Sequence, residues 1–167
     1  MIGSDGKNAR NPNRDALNKR IKERGYEVFD PQIDEVSHGR RYDYTIDGPA
    51  EQAARKGAYV TLYELADGTQ AAVTQLEILN DVIAGKRVIL WLSGEPNGKG
   101  KPQYKPAGFN ADNISDPATK AHALQGVKQG NDMRANLIDF TKGKSNLRTV
   151  RTFDEVIAAF RQFGIKL

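Results

Sequence analysis

The side chains best suited to covalent or acid–base chemistry in this chain are carboxylates. Glu77 lies inside a helical stretch, with Asp67, Asp47 and Asp43 upstream as partners. Two carboxylates in different environments can divide glycosyl transfer between them. One attacks the anomeric carbon and the other handles the proton of the leaving group. A mid-helix glutamate is ordinarily just solvated. What lifts Glu77 above that is its place in a strand–helix–strand segment, because open α/β sheets take ligands at their strand edges. Other chemistries find less support. With zero cysteines, thiol catalysis, disulfides and cysteine metal sites are excluded. His38 and His122 are far apart and match no metal-ligand spacing, so no metal is expected. Ser93 lacks the pattern of a nucleophile elbow. The loop Gly3-Ser4-Asp5-Gly6 is neither a P-loop nor a full dinucleotide fingerprint, and a plain turn is its ordinary reading.

The elements that must position Glu77 run from Gly57 to Gly94. Ala58–Leu62 is β-branched and aromatic and predicts a buried strand. Asp67-Gly68-Thr69 is turn chemistry, and Thr69 can cap the next helix. Ala72, Val73, Leu76, Leu79 and Ile83 recur at helical spacing and predict one apolar face, with Glu77 at its border. Gly85 stops the helix, and Lys86 and Arg87 sit at its negative end. Arg87–Leu92 (RVILWL) is almost wholly apolar, as a central parallel strand must be. This is a βαβ unit, expected to cross over right-handed.

Upstream, Met1-Ile2-Gly3 reads as the tail of a first strand, very short or truncated at Met1. A helix follows over Arg14–Arg24, capped by Asn13, and then a strand over Tyr26–Phe29. The polar connection Asp30–Tyr44 is long enough to suggest function. The next helix is expected to start at Asp47-Gly48-Pro49, with Asp47 as cap and Glu51 completing a capping box. Downstream, Ser93–Gly130 reads mostly as a loop-rich excursion, densest over residues 97–130, with a short helix near Pro117–Leu124. Asn136–Thr141 and Leu147–Thr149 are candidate strands, and Thr152–Phe163 a final helix capped by Thr152. The order predicts a single α/β domain over residues 1–167: a doubly wound, mostly parallel sheet of the Rossmann or flavodoxin type, helices on both faces.

A length of 167 residues suffices for one buried core. No apolar run is long enough to span a membrane and no signal-peptide pattern is present, so a cytoplasmic compartment is expected. The net charge of +4 is modest. The basic runs Lys99–Lys105 and Lys142–Arg151 therefore read as solvated loops, and nucleic acid is not an expected partner.

On these residues the chain resembles the nucleoside 2-deoxyribosyltransferases. The signature is Gln75-Leu76-Glu77-Ile78, then Ala84-Gly85-Lys86-Arg87-Val88-Ile89-Leu90. Tyr26–Gln32 is similar to the family's second strand and following loop. Asn131-Asp132-Met133 has the spacing of its Asn-x-Met motif, and Ser145–Phe153 with Asp154 and Glu155 is similar to its last strand and helix. The resemblance implies that Glu77 attacks C1′ of a 2′-deoxyribonucleoside, giving a covalent deoxyribosyl-enzyme. Asp67 would bind or protonate the departing base, with Asp47 a weaker candidate in the same region. Gly3, Ser4 and Asp5 would line the sugar. Asn131 and Met133 would complete the site of a neighbouring subunit in a homo-dimer or hexamer. A free nucleobase would accept the sugar, in nucleoside salvage, with no cofactor. The chain departs from the pattern in two places. The spacing from Asp67 to Glu77 is longer than the family's, and the tyrosine expected on the first strand is missing, leaving Tyr42, Tyr44 or Tyr63 to substitute. Two other readings stay open. One is a hydrolase of the same fold acting on deoxynucleoside 5′-monophosphates, with Ser4, Ser93 and Arg134 cradling the phosphate. The other is a non-catalytic nucleotide-binding module.

Overall fold

Val88, Ile89, Leu90, Trp91 and Leu92 are all buried, so both faces of this run are covered. Only a central strand of a layered α/β unit meets that condition. The computed structural model describes residues 12–31, 39–40, 43–66, 72–93 and 110–167. Over these residues the order is α1 (Pro12–Glu23), α2 (Tyr44–Gly57), β1 (Val60–Glu64), α3 (Ala72–Ile83), β2 (Arg87–Trp91), a 3₁₀ turn (Ala111–Asn113), α4 (Pro117–Thr141), β3 (Leu147–Val150) and α5 (Phe153–Gln162). The strands form a three-stranded parallel sheet in the order β1-β2-β3, with Val88 opposite Leu147 and Trp91 opposite Val150. Alternation along β2 separates two faces. Val88, Leu90 and Leu92 join Tyr63, Leu65 and Leu147 against Ile78 and Val82 of α3 and Leu137 of α4. On the other face the Trp91 ring meets Phe153 of α5 at 6.3 Å. The expected mixed α/β architecture, with parallel strands and helices on both faces, is the one observed. Gly85, at φ +77°, ends α3 as expected.

The chain divides into two compact units, Leu62–Ala159 and Met1–Thr61 with Phe160–Leu167. The first holds most of the sheet, α3, α4 and most of α5. In the second, α1 buries Leu17 and Ile21. Asp30 is tied back to α1 by Arg14 and by the Asn18 amide, each at 2.5 Å. Within the same unit, Arg161 donates from Nε and Nη2 to the Leu167 carbonyl.

Several expected elements are corrected. Tyr26–Phe29 is irregular rather than a strand. Phe29 is half exposed, and the bonds to Asp30 fold the segment back along α1 instead of releasing it to a ladder. Asn136–Thr141 is the end of α4, not a strand. Gly130, Arg134, Leu137 and Thr141 are buried at helical spacing, and the Thr141 hydroxyl donates to the Leu137 carbonyl one turn back. The helix expected near Pro117–Leu124 thus runs to Thr141, capped by Asp116, so residues 117–130 are helix rather than loop. α1 begins at Pro12, which puts Asn13 inside it. α2 begins at Tyr44 with Asp43 as cap, so neither Asp47 nor a Glu51 capping box starts it. Asp43 wins because its carboxylate accepts from the Thr45 amide and hydroxyl, at 2.8 and 2.6 Å. At α5 the expected Thr152 cap is present. Its hydroxyl accepts from the Glu155 amide while Glu155 accepts from the Thr152 amide, a reciprocal capping box.

The largest correction is the face of α3. Val73, Leu76 and Ile83 are 72%, 60% and 69% exposed, whereas Gln75, Ile78, Asp81 and Val82 are buried. The sequence carries two stripes at helical spacing. The stripe that turns inward is centred on Ile78 and Val82, with Leu79 of the expected face packed beside them, and its Asp81 finds the partners described next.

Candidate active site

At about 100° per residue, the buried centre of α3 lies at Ile78 and Val82. Asp81 and Glu77, four residues apart, fall on one flank of that centre. Asp81 shows where the flank points. The Tyr63 hydroxyl of β1 donates to Asp81 Oδ2 at 2.7 Å, and Lys86 Nζ meets Oδ1 at 3.1 Å. The Asp81 side chain is 4% exposed, so its charge is compensated by this cation and this hydroxyl rather than by water. Glu77, half-buried, is therefore on the side of α3 that looks toward β1. α3 starts at the carboxyl ends of the strands, so Glu77 is one turn nearer that edge than Asp81. That edge is where parallel α/β sheets hold ligands. The tyrosine of β1 thus holds Asp81. Of the other two tyrosines considered as substitutes, Tyr44 accepts a bond from the Gln52 amide in α2, and Tyr42 lies outside the described residues.

Three further groups mark the carboxyl edge. Ser93, half-buried, follows the last residue of the β2 run. Arg134 of α4 is 1% exposed and donates from Nη2 to the Ala66 carbonyl at 2.7 Å, just past the end of β1. At the start of α5, beyond β3, Glu155 accepts from the Arg151 amide at 2.6 Å and from the Thr152 amide at 3.2 Å. Those two N–H groups, Arg151 first, hold the Glu155 carboxyl below its ordinary value. An external anion at this helix start would have to displace it.

Asn131 is half-buried and donates to the Val127 carbonyl of its own helix at 3.1 Å, while Met133 is exposed. Both lie on α4, which packs against the 3₁₀ turn and against α3. Asp47 belongs to the other unit. It is gripped by both terminal nitrogens of Arg40, at 2.6 and 2.7 Å, and accepts from the Asp43 amide. Gly3, Ser4, Asp5 and Asp67 lie outside the described residues. Sequence reasoning missed the Tyr63–Asp81–Lys86 network and the burial of Arg134. The second has only a weak signal, the 4-3-4 spacing of Gly130, Arg134, Leu137 and Thr141, of which Leu137 alone is strongly apolar. The first had only a weak signal, an aspartate five residues before a lysine.

Among the described residues no group of three histidine, aspartate or glutamate side chains could hold a metal ion, and no helix is long and apolar enough to cross a membrane. Compared with protein-family models, curated proteins and solved structures, the chain finds no match.

Proposed function

We propose that the protein transfers a 2-deoxyribosyl group between nucleobases, with Glu77 as the nucleophile. The observation that carries this reading is the placement of Glu77, half-buried on the β1-facing flank of α3 and toward the carboxyl edge of a parallel sheet. Partial burial of a residue reduces the solvation of its carboxylate, which supports a role as nucleophile. A Glu77 oxygen bonds to C1′ as the C1′–N bond breaks, and the base departs with a proton supplied near Asp67. The nitrogen of an incoming base then attacks C1′ and releases Glu77. The family resemblance assigns Gly3, Ser4 and Asp5 to the sugar, Asp47 as a secondary candidate, and Asn131 and Met133 to the site of a neighbouring copy in a homo-oligomer. Exposure of Met133 supports that last role, whereas Asn131 would first have to leave the Val127 carbonyl. The scheme uses no cofactor and fits cytoplasmic nucleoside salvage.

A hydrolase of deoxynucleoside 5′-monophosphates is the second reading, favoured by Ser93 and Arg134 both lying at the carboxyl edge. The commitment of Arg134 to the Ala66 carbonyl weighs against it. The test is incubation with 2′-deoxyinosine and free adenine or cytosine, with chromatography of the products. New deoxyadenosine or deoxycytidine supports transfer. Free hypoxanthine without a new nucleoside favours hydrolysis, and the 5′-monophosphate is then the substrate to try. No turnover of either, with ligand-induced stabilisation retained, leaves a binding module.

A further inference from the structure

Two buried polar side chains reach β1, one from each helix packed on this face of the sheet. From α3, Asp81 holds the Tyr63 hydroxyl at 2.7 Å. From α4, Arg134 holds the Ala66 carbonyl at 2.7 Å. Tyr63 and Ala66 are three residues apart, or about 10 Å along an extended chain. Among the described strands β1 is at the edge of the sheet, bonded only to β2. Past the end of β1, the Leu65 amide still donates to the Trp91 carbonyl of β2 at 2.8 Å. One residue further on, the Ala66 carbonyl accepts from the Arg134 guanidinium.

An arginine 1% exposed is costly to bury, and charged residues are almost never fully buried without a partner. Leucine at this position would serve packing alone, as Leu137 does one turn later. What the arginine adds is a charge-assisted bond, shorter and stronger than a neutral one, to one backbone atom at the sheet edge. Glu77 is one turn from Asp81 on the same flank of α3, toward the carboxyl edge at which the Ala66 carbonyl is held.

We infer that Arg134 is a positioning residue for the Glu77 site: through Ala66 it fixes the carboxyl end of β1 to α4, while Asp81 and Tyr63 fix the middle of β1 to α3. This rests on the deoxyribosyl-transfer reading for its catalytic consequence but not for its structural one. A misplacement of about 1 Å at a reacting centre can cost about 100-fold in rate.

The test compares wild type with Arg134→Met, Arg134→Lys and Tyr63→Phe. It reads kcat and KM separately and follows amide hydrogen exchange by residue. Arg134→Met should lower kcat by about 100-fold with little change in KM. Exchange at Leu65 and Ala66 should quicken while Ile89 and Leu90 in β2 stay protected. Arg134→Lys, which keeps a charged donor, should recover part of the rate. If Arg134→Met does not fold, Arg134→Lys and Tyr63→Phe carry the comparison. A folded Arg134 variant with wild-type kcat overturns the inference, as does exchange that rises evenly across the sheet. If wild type itself turns over no nucleoside, the proposed function falls and the exchange pattern alone decides the role of Arg134.

Discussion

Replacing Tyr63 by Phe removes one oxygen and keeps the ring that packs against Ile78 and Val82. The lost bond is donated to a carboxylate 4% exposed, at 2.7 Å. Hydrogen bonds to charged groups contribute about 1.5–3 kcal/mol, and removing one partner leaves the other with its desolvation cost. Lys86, about a quarter exposed, still faces Asp81 and admits some water. The expected loss is therefore near the lower end, about 1.5 kcal/mol. Urea denaturation at neutral pH, with tryptophan fluorescence of Trp91, measures it. A cycle with Asp81→Asn isolates the pair and should return a coupling of about 1 kcal/mol or more. A Tyr63→Phe cost within about 0.5 kcal/mol, the range of ordinary surface changes, would refute the view that this hydroxyl secures α3 to β1.

Other outcomes follow from the same geometry. Ile78→Ala, at a fully buried position, should cost about 2–5 kcal/mol, while Leu76→Ala on the exposed stripe should cost far less; paired urea titrations separate the two faces. The Asn146 amide donates to the carbonyls of Val82 and Lys86 at 3.0 and 2.8 Å, closing the end of α3 onto the turn before β3. Asn146→Ala should therefore cost about 1–3 kcal/mol in the same assay. Glu155 titrates below its ordinary value, so as pH falls the unfolded chain takes up the proton first. Its contribution is present above the ordinary glutamate pKa and lost as pH falls through the lowered folded value. Thermal melts in acid should show this loss in wild type and less of it in Glu155→Gln. Asp116, held low by the Thr119 hydrogen bonds, contributes with the same sign.

The parallel α/β architecture was legible in the sequence because β2 is an unbroken apolar run and Gly85 punctuates the helix before it. The strand at Leu147 and the helix opened by Thr152 were legible for similar reasons of period and cap. The length of α4 was not. Its buried stripe runs through a glycine, an arginine and a threonine, which a search for apolar spacing passes over. The inward face of α3 was misread for a related reason. Val73, Leu76 and Ile83 compete with Ile78 and Val82 for the core, and burial goes to the second set, beside which Asp81 meets Tyr63 and Lys86. Tyr63 and Asp81 are eighteen residues apart, and only the fold brings them together. Glu77 was identified by residue type and by the helix it occupies. Its flank, and hence what it faces, depended on Asp81.

The covalent intermediate is the most direct test of the central claim. Wild type and Glu77→Gln are incubated with 2′-deoxyinosine without an acceptor base, quenched in acid and weighed intact. Wild type should gain the mass of one deoxyribosyl group, peptide mapping should place it on Glu77, adenine should discharge it, and Glu77→Gln should gain nothing. An adduct on another residue, or base exchange at the wild-type rate by Glu77→Gln, would contradict that claim.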